Sequence, residues 1–298
     1  MEETQKKDTL IKAMTHDGSV RATCCLTTQA VEQARHYHNT TPVMTAALGR
    51  TLTAASMMGS MLKGVGESVT IRITSDGPAK SILCIGNSDG MVWGCTANPY
   101  ADLPLNSQGK LDVGGVIGRG TLSVIKDMKL SQPYTGQVPL VSGEIAEDIT
   151  SYFAVSEQIP TVCSLGVLID RDRTVKVSGG FILQLMPFAS EREITQLEDS
   201  VRNMRPITEL ISGGMSAEDV LRTALRLFEV DVFDQFEIGY RCNCSKLRAE
   251  KVLMAMGRDE LIKLCGEQEV TEVTCRFCDK IYKFTADDLN RLIKHGSK

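Results

Sequence analysis

Over the first 188 residues, short runs in which apolar and polar positions alternate are separated by turn-forming residues, and helical spacing interrupts them only in places. Residues 9–15 and 20–27 flank His16-Asp17-Gly18-Ser19 and are predicted as a hairpin. From Thr28, taken as a cap, the spacing becomes helical, with Ala30, Val31, Ala34 and His38 on one face. Thr41-Pro42 opens a longer predicted helix, with Pro at its first position and Met44, Ala47, Leu48, Thr51, Leu52, Ala55, Met58 and Leu62 on its stripe. Gly64 and Gly66 close it. Residues 69–74, 80–85 and 91–96, broken by Asp76-Gly77-Pro78 and Asn87-Ser88-Asp89-Gly90, are predicted as an antiparallel meander. Residues 121–126 and 137–141 add strands. Residues 144–156 read as a helix carrying Ile145, Ile149 and Phe153 on one stripe, and 162–170 with 175–186 as a last hairpin ended by Pro187.

The pattern then changes character. Ser190 and Glu193 make a capping box before Ile194, Leu197, Val201 and Met204; Arg205-Pro206 and Gly213-Gly214 interrupt. Ser216 caps a second amphipathic helix with Val220, Leu221, Ala224, Leu225 and Phe228 on its apolar face. Helices this short are marginal alone and must pack on a neighbour. The chain is thus predicted to be α+β: an N-terminal domain of antiparallel sheets with helices at 1–188, a helical middle linker at 189–238, and a small C-terminal domain at 239–298 that holds two cysteine pairs.

Composition narrows the function. With 298 residues, 42% hydrophobic, the chain can bury a sizeable core, and with aromatics at 5% aliphatic side chains and the 13 Met must fill it. A net charge of −4 argues against a dedicated nucleic-acid binder. The acids concentrate in residues 191–237, ahead of a mildly basic C-terminal stretch. The first residues, Met1-Glu2-Glu3-Thr4-Gln5-Lys6-Lys7, do not read as an export signal, and no apolar run approaches a membrane span. The expected compartment is therefore the cytoplasm, where thiols stay reduced; ten cysteines there read as metal ligands, redox centres or buried apolar residues.

Most candidate sites reduce to structure. The stretch 109–120 has neither the phosphate-loop nor the dinucleotide order of glycines and leads into a predicted strand, so it reads as a loop. His16, His36, His38 and His295 fall in no catalytic motif. Glu144, Glu147 and Asp148 are expected in the first turn of their helix, where acids suit the dipole. No catalytic residue is assigned, and the chain is not expected to be an enzyme. Cys24, Cys25, Cys84, Cys95 and Cys163 sit among apolar neighbours as inert thiols, whereas Cys265 lies between the two remaining pairs and could compete with them. Those pairs, Cys242-Asn243-Cys244 and Cys275-Arg276-Phe277-Cys278, differ in kind. Four such thiols can take one Zn²⁺ tetrahedrally or close as two local disulfides.

The chain resembles the bacterial redox-regulated heat-shock chaperones of about thirty-three kilodaltons, nearly end to end. The resemblance is carried by Ala46-Ala47-Leu48-Gly49-Arg50, Asn98-Pro99, Asp102-Leu103-Pro104, residues 109–114, Ser142-Gly143-Glu144-Ile145-Ala146-Glu147-Asp148, Ser156-Glu157-Gln158, Gly179-Gly180-Phe181 and the C-x-C…C-x-x-C tail. It implies a cytosolic, ATP-independent holdase whose C-terminal domain binds one zinc through Cys242, Cys244, Cys275 and Cys278 in an inactive reduced form. It further implies that oxidation pairs Cys242 with Cys244 and Cys275 with Cys278, releases the zinc, loosens the linker and yields an active homodimer that captures unfolding clients. Cys265 lies outside the family motif. On this reading Ile194, Leu197, Val201, Val220, Leu221, Leu225 and Phe228 are the candidate client-binding residues. The C-x-x-C bridge, spanning two residues, is expected to form before the more strained C-x-C bridge.

Two other classes compete. A zinc-ribbon nucleic-acid-binding protein would use Arg241, Lys246, Arg248 and Lys251 with Arg276, Lys280 and Lys283, diluted by Glu250, Glu267, Glu269, Glu272 and Asp279. A thiol-disulfide oxidoreductase would use Cys275 and Cys278, without the strand-then-helix setting such enzymes need.

Overall fold

A computed structural model describes residues 7–295; Met1 to Lys6, part of the stretch read above for an export signal, lie outside them. The chain is α+β, as expected, and separates into two compact units, Met1–Arg241 and Cys242–Lys298. In the first, β1 (Thr9–Thr15) and β2 (Val20–Leu26) form the predicted hairpin, followed by α1 (Thr28–His38) and α2 (Pro42–Ser60). Then come β3 (Ser68–Ser75), β4 (Ser81–Asn87), β5 (Val92–Thr96), a short α3 (Val113–Ile117), β6 (Gly120–Asp127) and β7 (Tyr134–Pro139). After α4 (Ala146–Tyr152) a π-helical turn leads to the β8 (Thr161–Ile169) and β9 (Val175–Leu185) hairpin. The middle segment holds α5 (Glu191–Arg202), α6 (Ile207–Ser212), α7 (Ala217–Ala224) and β10 (Val230–Glu237).

Two five-stranded antiparallel sheets result, ordered β10-β1-β2-β9-β8 and β5-β4-β3-β6-β7. Helix α2 packs on strands of both. Its sequence is apolar or small almost all round, the signature of a helix buried on every side, and all but two of its residues are buried. Hydroxyls that share this interior are satisfied: Thr51 donates to Ala47 O at 2.9 Å and Thr53 to Gly49 O at 2.8 Å within the helix, and Ser56 donates to Gly90 O at 2.7 Å in the β4–β5 turn. The approach of β4 to α2 requires glycine at Gly86, where a Cβ would stand 1.9 Å from Ala55 O.

The first sheet is apolar on both faces. Leu10, Cys25, Leu165 and Ile182 point into the α2 core, while Ile11, Ala13, Val20, Ala22, Cys24, Phe181 and Leu183 point the other way. That second face is covered by Leu197, Ile207, Leu210, Val220, Leu221, Ala224 and Leu225 from α5, α6 and α7. Each large apolar side chain so covered, leucine, isoleucine, valine or phenylalanine, is worth roughly 1.5–3 kcal/mol relative to exposure.

Several local expectations need correction. Residues 189–238 are not helical throughout. Val230, Val232, Phe236 and Ile238 alternate as a strand does, and β10 pairs with β1 with a register shift opposite Lys12/Ala13 that leaves Phe233 61% exposed. Thr28 is inside α1 rather than its cap; the buried Asp8 carboxylate instead accepts from Gln29 N at 3.0 Å and Ala30 N at 2.7 Å. Strand β7 begins and ends earlier than residues 137–141. Glu144 precedes α4, because Ile145 adopts φ 70° and turns the chain there. Among the described residues no helix is long and apolar enough to cross a membrane.

Candidate metal centre

The second unit is built from α8 (Lys246–Ala255), α9 (Arg258–Glu267), the hairpin of β11 (Val270–Thr274) and β12 (Ile281–Thr285), and α10 (Ala286–His295). Its buried core among the described residues is Ala249, Leu253, Leu261, Phe284 and Leu289. Five side chains are few for such a unit, and a core of this size supplies only a few kcal/mol.

The two cysteine pairs sit at structured turns. Cys242-Asn243-Cys244 leads into α8, whose first turn is capped by Ser245 accepting from Arg248 N at 3.3 Å; the Arg248 guanidinium in turn donates to the Asn243 side-chain oxygen. The second pair makes the β11–β12 turn. Cys275 N donates to Lys280 O at 2.9 Å and Asp279 N to Cys275 O at 3.0 Å, with Asp279 at φ 54° in the left-handed region. The turn aims both sulfurs of the pair at the first pair.

All four sulfurs lie within 4.8 Å of one another. Cys242 Sγ is 3.6 Å from Cys275 Sγ, and Cys244 Sγ is 3.5 Å from Cys278 Sγ. A tetrahedron with arms of about 2.3 Å, the zinc–thiolate length, has edges of about 3.8 Å, so the spacing and the soft donor set fit one metal ion. Both of these contacts run between the pairs, and none of the four cysteines is in a disulfide. Crowding separates the thiols in acidity. Burial foremost holds Cys242 well above its ordinary value, and Cys278 is pushed up to about 11, also chiefly by burial. Burial opposes ionisation of Cys244 too, but hydrogen bonds, led by one from Tyr282, bring it below the ordinary thiol value. Tyr282 Oη lies 3.1 Å from Cys244 Sγ. Sequence reading missed this residue; the signal was the alternation in β12, which puts Tyr282 on the same face as the buried Phe284.

The remaining candidates separate cleanly. Cys24, Cys25 and Cys84 are fully buried and burial raises each thiol, in keeping with inert packing; Cys95 is buried and Cys163 partly so. Cys265 is outside the four-sulfur cluster and lies 3.9 Å from Ala286 O. Of the candidate client residues, Leu197, Val220, Leu221 and Leu225 are buried and Val201 and Phe228 partly so in the cluster over the first sheet; Ile194 is partly exposed and outside it. The basic residues near the cysteines are partly spoken for, with Lys283 2.9 Å from Glu272 and Lys246 3.6 Å from Asp288. The C-x-x-C turn joins two strands rather than opening a helix.

The family model described as Hsp33 protein matches residues 8–285. A curated relative from Agathobacter rectalis, a 33 kDa chaperonin, is 45% identical over 96% of this chain and 99% of its own length. One from Clostridium botulinum (strain Eklund 17B), of the same description, is 43% identical over 98% and 99%. The solved structure of the 33 kDa chaperonin (heat shock protein 33 homolog) from Thermotoga maritima superposes with a TM-score of 0.89 at 36% identity, covering 97% of this chain and 99% of that one.

Proposed function

The chain belongs to the Hsp33 family, and from that premise we propose that it is a redox-regulated, ATP-independent holdase of the cytoplasm, a binding protein rather than an enzyme. The observation that carries the reading is the mutual approach of the four sulfurs to within 4.8 Å in a unit whose own core is small. Cys242, Cys244, Cys275 and Cys278 would hold one Zn²⁺, which when bound supplies folding energy on the order of 10 kcal/mol and keeps the sulfurs as thiolates.

Each cysteine pair gives two electrons to hydrogen peroxide: one thiolate attacks an oxygen to form a sulfenic acid and expel hydroxide, and its partner then displaces a second hydroxide to close the disulfide. Closing Cys275 with Cys278, then Cys242 with Cys244, removes the ligand set. The chain itself offers the route onward. Arg241, immediately before Cys242, donates its N–H to Val92 O at 2.9 Å, and Ile238 donates to Asp8 O at 3.1 Å. Loss of order at residue 242 therefore pulls first on these bonds, then on β10 and the middle helices. Division into a body at 1–188, a conditional layer at 189–238 and a switch at 239–298 follows this route. Release of the layer uncovers Leu197, Val201, Val220, Leu221, Leu225 and Phe228, with Ile194 beside them, together with the second face of the first sheet. Unfolded clients, and a second copy of the chain in an oxidised homodimer, would meet that surface.

The test is light scattering of a heat-denaturing client, with zinc release and disulfide mapping followed in the same samples. Protection is expected only after peroxide and heat, with the C-x-x-C bridge filling first, and is expected to vanish in Cys275→Ser. Equal protection by the reduced protein would remove the switch. The nucleic-acid alternative has less to rest on, since Lys246 and Lys283 are already engaged by acids.

A further inference from the structure

We propose that Tyr282 is a positioning residue for the thiol switch: by donating its hydroxyl to the Cys244 sulfur at 3.1 Å, it restrains that thiolate from oxidants and delays opening of the cluster. This rests on the reading of the four thiols as a metal-gated switch.

Three features make the bond more than a passing contact. Tyr282 is fixed in β12 opposite Val273, and its ring packs against the small core of the unit, so the hydroxyl is aimed by backbone pairing and packing together. The Lys280 ammonium lies 5.5 Å from the ring centroid, where a cation draws on the π-system and strengthens the O–H as a donor. The acceptor is one member of the pair with the shorter spacer. Cys242 and Cys278 instead take backbone N–H groups, from Cys244 and Lys280, which no side-chain change can delete. The phenol is thus a removable brake on one sulfur.

A hydrogen-bonded thiolate has less electron density to offer an electrophile, and thiolate reactivity follows basicity. In the second step of oxidation, Cys242 and Cys244 together give two electrons to hydrogen peroxide, which leaves as two hydroxides. Where the Cys244 sulfur attacks, it must give up its lone pair, and the phenol opposes that. Groups that hydrogen-bond a metal ligand typically change affinity by about 10- to 100-fold when removed.

The experiment uses the full-length reduced protein loaded with Zn²⁺ or, in parallel, Co²⁺. Tyr282→Phe keeps the ring and deletes the donor. It is expected to release zinc to peroxide about tenfold faster and to move the sulfur-to-cobalt charge-transfer band to lower energy, because the freed sulfur is the better electron donor. Replacing Tyr282 with 3,5-difluorotyrosine strengthens the donor, so release should slow and the band should move the other way. That opposite response keeps the test decisive if Tyr282→Phe folds poorly. Identical bands and rates across the three proteins would overturn the role of Tyr282 while leaving the switch intact. Absence of a thiolate charge-transfer band in the parent would instead remove the metal-gated reading itself.

Discussion

Asp8 ties three parts of the body together through one residue. Its carboxylate takes the first free N–H groups of α1, and its carbonyl takes Ile238 N at the end of β10. Burial raises its pKa from 3.8 to about 6, and the backbone donors of Gln29, Ala30 and Thr28 offset only part of that. A carboxyl raised in the folded state binds its proton more tightly there than when unfolded, so this group's contribution falls as pH climbs from about 4 to about 6. Asp8→Asn is therefore expected to gain on the parent by on the order of 3 kcal/mol between pH 4 and pH 7. Urea unfolding followed by the emission of Trp93, 6% exposed in β5, measures it. A constant difference across that window would show that Asp8 titrates normally. A second buried acid works differently: Asp148 accepts from Val141, Ser142, Gly143 and Ile145 N at 2.7, 3.2, 3.4 and 2.9 Å, and so holds the turn from which Glu144 pairs with Arg50.

Helix α7 is the element on which the proposed release turns. Ser216 and Asp219 close its N-terminal capping box, and Val220, Leu221 and Ala224 are fully buried against the first sheet. Eight residues with so few backbone bonds do not hold a helix in water, so its order comes from that face. Leu221→Ala removes buried methyl groups at a cost of about 2–5 kcal/mol. The expected result is that the layer opens at lower urea than the body and that the reduced variant suppresses client aggregation without oxidant, as light scattering would record. A reduced Leu221→Ala protein that opens early yet protects nothing would separate this face from client binding. Gly166 limits the neighbouring contact, since a Cβ there would stand 2.7 Å from Ile207 and Thr208 side-chain atoms of α6.

At the scale of the whole molecule, the two units differ in what holds them. The body buries a long helix between sheets, whereas the C-terminal unit has a small core and four sulfurs. Stripping the reduced protein with a zinc chelator is accordingly expected to melt α8, α9 and α10, lowering helical circular dichroism and amide protection in Cys242–Lys298, while Trp93 emission persists. Unchanged protection in that unit after the metal is gone would mean that its fold does not depend on ligation.

Much of this was readable from local pattern. Alternation and turn residues located the strands to within a few residues, Thr41-Pro42 and Ser216 marked helix starts, and the spacing of Cys242, Cys244, Cys275 and Cys278 singled out the four sulfurs that come together, because period, capping and cysteine pairing are properties of neighbours along the chain. Other features required distant residues to meet. Val230, Val232 and Phe236 alternate, but the register shift at Phe233 sends Phe236 to the α2 core while Val230 and Val232 face the middle helices, so pairing with β1 is what identifies the strand. Asp8 caps a helix that begins twenty residues later, and Tyr282 reaches a sulfur thirty-eight positions away. Burial of both faces of the first sheet likewise arises only when α2 and the middle helices close on it from opposite sides. The sequence alone thus determined which elements form and which thiols can act together; the tertiary structure decided which apolar faces those elements hide and which side chains tune the thiols, since both are set by packing between segments far apart in the chain.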